Sequence, residues 1–246
     1  MIDCNTYIPD GKSHPLRRMI EDIILPEDHY MRMRLSGALS EQCRDYYFLA
    51  HENGVGLSRI WMCHGLHTNA AANWGAVYTP EEHRGHGYCR TLLEYCFAEL
   101  DRMEQPPSAL FCTAGTLELT NLYRRYGFVP ALAGRDRGPL YRPMGKSPAD
   151  FASFCEAYYT PARSLLVRDA DFGMRNEIDC LLRFALWDRG LSFGIGEATD
   201  LWPILMKERG RAKVILTEDR RCVGWMLNGE IQLHPQYRGL PLERED

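Results

Sequence analysis

The chain lacks several of the features that would place it quickly. No apolar run approaches the ~18 residues of a membrane span, so no membrane partner is expected. The opening stretch MIDCNTYIPDGKSHPLRR has no apolar core, which argues against a secretory signal. Basic residues are not in excess: 29 Lys and Arg face 33 Asp and Glu, for a net charge of −4. Bulk charge therefore gives no reason to expect nucleic acid or an anionic membrane, although a local basic patch stays open. The nine cysteines are odd in number and include no Cys-x-x-Cys pair, which sets aside a disulfide framework and a zinc ribbon. They read as reduced, buried thiols of a cytosolic protein. Two nucleotide fingerprints are also missing: there is no GxGxxG, and no glycine loop ending in Gly-Lys-Ser/Thr.

What remains is an ordinary globular composition. Apolar residues make up 45% of the 246 positions, enough for a sizeable core in one large domain or two small ones. Residues 14–45 read as helical, with Pro26 dividing them into two helices. Asn53-Gly54 between two apolar runs predicts a β-hairpin. A strand over 73–79 is followed by a helix over 87–103 with Leu92, Leu93, Cys96, Phe97 and Leu100 on one face. Then come a strand over 108–114, a short helix stopped by Gly127, and a strand over 138–144. This order implies a mixed α/β sheet. PMGKSPADFAS, rich in Gly, Pro and Ser, marks a boundary. Beyond it we expect a strand over 164–170, a helix over 171–190, a helix over 200–210, and three strands ending near Pro235. HPQYRG at 234–239 echoes PEEHRG at 80–85, which suggests a degenerate internal duplication. Trp187, Trp202 and Trp225 are expected to fill the core of this second half, and the charged tail LERED to be solvated.

The stretch VYTPEEHRGHGYCRTLLEY places Arg84, Gly85 and Gly87 between a strand and a helix. A helix N-terminus has unpaired backbone N–H groups and a partial positive charge. Glycines ahead of it let the backbone wrap closely around an anion. Arg84 adds a fixed charge with forked donors. Alone, such a loop permits many nucleotide-like ligands, and Tyr123 alone reads as a core aromatic on a short helix.

The wider pattern is more specific. Arg84, Gly85, His86, Gly87 and Tyr88, after a strand ending in Tyr-Thr-Pro, resemble the coenzyme A loop of the GNAT-superfamily N-acetyltransferases. Cys89 stands where that family usually has Gly or Ala. Downstream, TNLYRRYGF resembles the family's second signature, through Asn121, Tyr123, Gly127 and Phe128. The resemblance covers roughly residues 1–145. It implies a GNAT acyl-CoA N-acyltransferase fold over 1–145, with a second, smaller GNAT-like α/β lobe over 146–246. It implies acetyl-CoA as co-substrate and a small-molecule or peptide amine as acceptor. Val77, Tyr78 and Thr79 would bind the pantetheine arm and acetyl group. Arg84, Gly85, His86, Gly87, Tyr88, Cys89 and Arg90 would surround the pyrophosphate. Asn121 would contact the pantetheine or acetyl region, and Tyr123 would be the general acid for the leaving thiolate.

The base that deprotonates the amine is not identified. Many relatives carry a carboxylate on the strand before the loop, and AAANWGAVYT has none. Glu118, Glu81, Glu82, His64 and His67 stay level as candidates. Cys63, His64 and His67, and likewise His83 and His86, have spacings that could suit a metal. A loop position for the first group and a phosphate contact for His86 are the better readings, so no metal is expected. A non-catalytic acyl-CoA-binding sensor is the alternative function. A homodimer is left open as an assembly.

Overall fold

A computed structural model describes residues 2–68, 70–191, 204–205, 208 and 210–244. The chain divides into two compact units, Met1–Cys63 with Trp74–Pro106, and His64–Asn73 with Pro107–Asp246. Among the described residues no helix is long and apolar enough to cross a membrane.

The first unit opens on a strand that the sequence reading passed over, β1 (Asp3–Tyr7). Antiparallel pairing holds it to β2 (Cys43–Glu52), with Asp3 opposite His51 and Tyr7 opposite Tyr47. Helices α1 (Pro15–Asp22) and α2 (His29–Leu35) flank Pro26 as expected. Each starts on a side-chain cap. The His14 ring accepts from the Leu16 N–H at 3.1 Å, and Asp28 accepts from the Met31 N–H at 3.0 Å. Pro15 takes the first helical position, where its missing N–H costs nothing. Asn53 and Gly54, at φ 51° and 80°, turn β2 into β3 (Val55–Gly65). Two successive positive φ angles are what a tight hairpin requires. Gly56 lets α1 pack directly on β3, because a Cβ there would lie 2.7 Å from the Met19 carbonyl.

Strand β4 (Ala71–Tyr78) enters this unit at Trp74, and α3 (Tyr88–Asp101) follows the loop. The strand order is β1-β2-β3-β4. Helix α3 buries Leu92, Leu93, Cys96, Phe97 and Leu100, the face its periodicity predicts. The Phe97 ring lies 5.5 Å from that of Trp74. Burying each such large side chain contributes roughly 1.5–3 kcal/mol.

In the second unit the first residues of β4 pair in parallel with β5 (Ala109–Ala114), from Ala71–Ala109 to Asn73–Phe111. Strand β5 pairs antiparallel along its whole length with β7 (Gly138–Pro143), and β7 pairs with the two-residue β6 (Val129–Pro130). Helix α4 (Leu117–Arg124) connects β5 to β6. Helix α5 (Phe151–Tyr158), capped by Asp150, follows directly on the Gly/Pro/Ser-rich stretch. The Phe111 ring sits 5.7 Å from both Tyr141 and Phe151, in an aromatic core.

A second sheet has the order β11-β10-β9-β8-β12. Its strands are β8 (Leu165–Asp169), β9 (Ala212–Leu216), β10 (Cys222–Leu227), β11 (Glu230–Leu233) and β12 (Leu242–Arg244). The helix expected over 171–190 is a composite. It comprises a 3₁₀ turn (Phe172–Met174), a π-helical segment (Glu177–Leu182) and α6 (Arg183–Asp188). The helix expected over 200–210 lies largely outside the described residues, as does Trp202. Trp225 is buried as expected, but Trp187 is 46% exposed, with the Arg135 guanidinium 5.0 Å above its ring. The tail residues Leu242–Arg244 are exposed, yet they form a strand, because their backbone pairs in parallel with β8.

The two sheets share a local device. Strands β8-β9-β10-β11 run in the same spatial order as β1-β2-β3-β4. Each series ends on a 3₁₀ turn, Glu81–His83 in the first and Pro235–Tyr237 in the second. Arg84 and Arg238 then adopt the same extended conformation, and Gly85 and Gly239 have φ 79° and 85°. After that the paths differ: Gly87 leads into α3, whereas Gly239 leads into β12.

Candidate active site

Strand β4 is kinked where it approaches the glycine loop. Ala76 has φ +46° directly after Gly75 at φ +157°. A non-glycine residue with positive φ interrupts a ladder and costs energy unless its surroundings hold it. The holding group is Arg59 of β3, 3% exposed, whose Nη1 donates to the Ala76 carbonyl at 2.7 Å. Its Nε donates to the Ile23 carbonyl at 3.3 Å, and its guanidinium lies 5.4 Å from the Tyr78 ring. One residue earlier on β3, Ser58 Oγ donates to the Tyr78 carbonyl at 3.2 Å and lies 2.9 Å from Thr79 Oγ1. Tyr78 and Thr79 are therefore pinned through their backbone and side chain, and Val77 lies between two fixed points.

The loop is built next. Pro80 and the 3₁₀ turn Glu81–His83 lead to Arg84, whose Nε donates to the Thr79 carbonyl at 3.1 Å. The guanidinium closes the loop on itself and keeps its remaining donors exposed. Gly85 and Gly87 both take left-handed φ angles, 79° and 83°, and a Cβ at either would meet nothing within 4 Å. Both glycines are thus explained by backbone angle and not by crowding. Gly87 is the N-cap of α3 and supplies no side-chain acceptor. Among the described residues, no acceptor satisfies the backbone N–H groups of residues 85–90. Unpaired N–H groups converging on a helix N-terminus form an anion cradle. His86 Nδ1 lies 2.8 Å from the Arg84 carbonyl, and its ring stacks 5.5 Å from Tyr88. Cys89 is partly buried, and burial pushes its thiol pKa up. It stays an uncharged neighbour at neutral pH and does not repel an anion.

Asn121 and Tyr123 lie on α4 in the second unit. Thr116 caps this helix by accepting from the Leu119 N–H at 3.2 Å. At the other end the Phe128 N–H donates to the Tyr123 carbonyl at 3.3 Å, and the Gly127 N–H to Arg124 at 3.1 Å. With Gly127 at φ +86° this is a Schellman stop, and the 5.9 Å contact between the Tyr123 and Phe128 rings is its hydrophobic partner. The Tyr-x-x-x-Gly-Phe spacing thus has a folding reason of its own. Tyr123 is buried, and Asn121 is exposed with its Oδ1 accepting from Arg124 at 3.5 Å.

The residues named as bases differ in exposure and local partners. Glu81, Glu82 and Glu118 are exposed. His64 Nδ1 lies 2.9 Å from the Gly65 carbonyl, and His67 lies 3.5 Å from Asp171. The grouping with metal-like donor spacing is not Cys63, His64 and His67 but Cys43, Asp45 and Cys63, whose ligand atoms lie within 4.8 Å of one another. Only the hairpin register brings these together. The cation there is already a protein group: Arg34 Nε donates to Asp45 at 2.8 Å, joined by Trp61 Nε1 at 2.7 Å.

Sequence reasoning missed Arg59 and Ser58. Their signal was a charged and a polar residue inside the apolar run GLSRIWM. It also missed Glu177, fully buried on the π-helical segment. Thr68 Oγ1 donates to its Oε1, its Oε2 has no hydrogen-bond partner among the described residues, and burial pushes its pKa up to about 8.

No curated protein matches the chain. Solved structures similar to part of it include an acyl-CoA N-acyltransferase from Pseudomonas aeruginosa, at 16% identity and TM-score 0.44, covering 58% of this chain and 99% of that one. ElaA from Escherichia coli is similar at 17% identity and TM-score 0.42, covering 58% and 99%. YhbS from Escherichia coli, a GNAT family N-acetyltransferase solved in complex with CoA, is similar at 13% identity and TM-score 0.42, covering 58% and 82%. The family model described as "Acetyltransferase (GNAT) domain" matches residues 43–130, a span that begins at β2, takes in the kinked strand and the glycine loop, and ends just past the Schellman stop. Over that segment the chain is similar to the GNAT acetyltransferase domain.

Proposed function

We propose that the protein is an N-acetyltransferase that moves the acetyl group of acetyl-CoA to a primary amine by direct attack in a ternary complex. The observation that carries this is the row of acceptor-free N–H groups at 85–90, directly after a kinked and pinned β4. Such a cradle fits a pyrophosphate. In this reading Val77, Tyr78 and Thr79 bind the pantetheine arm and acetyl group through backbone groups freed by the kink. Arg84, Gly85, His86, Gly87, Tyr88, Cys89 and Arg90 hold the pyrophosphate.

Acetyl-CoA supplies the thioester. The amine nitrogen forms a bond to the carbonyl carbon, and the carbon–sulfur bond breaks. Backbone N–H groups on β4 stabilise the charge on oxygen. Tyr123 donates its phenolic proton to the departing sulfur and regains one from the nitrogen. A phenol, with an ordinary pKa of ~10, holds its proton at neutral pH and suits this task. Asn121 contacts the pantetheine or acetyl region. The repeated strand order and turn support a further proposal, that residues 146–246 are a degenerate GNAT-like lobe packed on a catalytic part spanning 1–145. The departure of the chain into β12 after Gly239 supports assigning that lobe no coenzyme site.

Calorimetry with acetyl-CoA on the wild type and on Arg84→Glu tests the site. We expect binding by the first and at least tenfold weaker binding by the second, and equal affinities would overturn the assignment. Thiol release over an amine panel separates an enzyme from a sensor. Binding with no release from any amine favours the non-catalytic reading, which the absence of a carboxylate on β4 also supports.

A further inference from the structure

The second unit contains a cleft of about 380 Å³ that the coenzyme assignment does not use. Its lining includes Asn73 of β4 and Cys112 and Thr113 of β5. Pairing of these strands runs to Asn73–Phe111 and no further, so the cleft lies where β4 and β5 part. One wall is apolar, with Leu132, Phe184 and the exposed Trp187. The lining also carries four charged residues: Arg135, Arg175, Arg183 and Asp179.

These charges are unbalanced in favour of the positive, in a protein whose net charge is −4. Arg175 is already committed, because its Nε donates to Asp179 Oδ2 at 2.6 Å. The Arg135 guanidinium lies over the Trp187 ring and has no contact ion pair among the described residues. Arg183 makes no contact ion pair among the described residues, but its charge acts on Asp179 and favours that carboxylate. Among the described residues Arg135 and Arg183 thus keep donors that no contact ion pair takes up, and a planar fork of donors suits a carboxylate or phosphate. Asp179 is the complementary element. Its Oδ1 is buried and has no hydrogen-bond partner among the described residues, although Oδ2 is engaged. A buried acceptor left open is costly until a donor reaches it.

We propose that this cleft receives the acceptor, and that the acceptor is a primary amine carrying an anionic group, a carboxylate or a phosphate. Arg135 and Arg183 hold the anion, Asp179 Oδ1 accepts from the ammonium group, and the Leu132–Phe184–Trp187 wall covers the hydrocarbon between them. The inference rests on the acetyltransferase reading for its role, and on the cleft alone for its binding preference.

The test uses the whole chain and two matched pairs of probes: phenylalanine against phenylalaninamide, and phosphoethanolamine against ethanolamine. Binding is measured by calorimetry without acetyl-CoA, and kcat/KM is measured with it. The expected result is that the anionic member of one pair binds roughly tenfold or more tighter, with a matching gain in kcat/KM. The pair that responds tells carboxylate from phosphate. Arg135→Met and Arg183→Met should each remove most of that preference and leave acetyl-CoA affinity unchanged. Asp179→Asn should weaken both members of the pair, since both carry the ammonium. Equal binding within both pairs, or a preference that survives the Arg135→Met/Arg183→Met double variant, overturns the proposal. An Asp179→Asn variant with unchanged binding removes Asp179 from it. Loss of acetyl-CoA binding in the wild type would sink the acetyltransferase reading, while the coenzyme-free binding preference still decides the cleft.

Discussion

Arg59 Nη1 donates to the carbonyl oxygen of Ala76 at 2.7 Å, and this bond ties the interior of β3 to the one non-glycine residue of β4 with a positive φ. A buried guanidinium thereby supports a kink that an isolated strand would not keep. Arg59→Met keeps the apolar stem and removes the donors, leaving the Ala76 and Ile23 carbonyls unsatisfied. The expected loss is about 1–3 kcal/mol in urea unfolding, with weaker acetyl-CoA binding. Unchanged coenzyme affinity would show that the kink is not maintained by Arg59.

Gly87→Ala forces a methyl-bearing residue to φ +83°, which costs ~1–2 kcal/mol of stability. No atom lies within 4 Å of the new methyl, so crowding adds nothing. Gly11→Ala, at φ +81° in the β1–α1 connection and equally open, is the matched control. Both variants should lower Tm by a similar few degrees. Only Gly87→Ala should also lose about tenfold in acetyl-CoA affinity.

Tyr123→Phe removes the phenolic proton and keeps the ring that packs on Phe128. If Tyr123 protonates the leaving thiolate, kcat falls about 10²–10⁴-fold while the acetyl-CoA Kd changes less than twofold. A variant with unchanged kcat would return Tyr123 to a packing role.

Glu177 makes stability depend on pH. Its folded pKa lies near 8, above the ordinary value of 4.5, because burial disfavours the carboxylate. Between about pH 4.5 and 8 the folded state holds a proton that the unfolded state has released. Stability from this group is therefore full below pH 4.5 and is lost as pH rises to about 8, by up to ~1.4 kcal/mol per unit. Glu177→Gln keeps an acceptor for Thr68 and removes the slope. Urea midpoints at pH 5, 7 and 9 should show a growing advantage for the variant, whereas parallel curves would contradict this account.

Arg34→Met leaves Asp45 buried without its cation, since Arg34 is 1% and Asp45 5% exposed. Removing one partner of such a pair costs about 3–5 kcal/mol. Asp45→Asn added to Arg34→Met should recover part of that loss in the same unfolding assay.

The parts legible in the sequence were those governed by local physics. Asn53-Gly54 specified a hairpin because only certain residues accept two positive φ angles in succession. Helix α3 was legible because its five buried residues recur at the helical period. The strand-loop-helix around Arg84 and the stop at Gly127 were legible for the same reason, since the glycines there answer to backbone angle. β1 was missed because DCNTY has little hydrophobic pattern and is a strand only by virtue of pairing with β2. Trp187 was misjudged because its single signal, size and apolarity, cannot tell a core from a cleft wall.

The residues the sequence alone determined are those whose own backbone geometry or neighbours in the chain decide the outcome: the turn, the caps, the amphipathic face, the glycine cradle. Tertiary structure decided the rest. It brought Arg59 to Ala76, Arg34 to Asp45, and Arg183 and Asp179 to the parting of β4 and β5. Each of these joins groups far apart in the chain, and the pairing depends on strand register and burial. A charged residue in an apolar run announces that it must find a partner, since an unpaired buried charge is too costly to keep. Which partner it finds is settled only when the strands have come together.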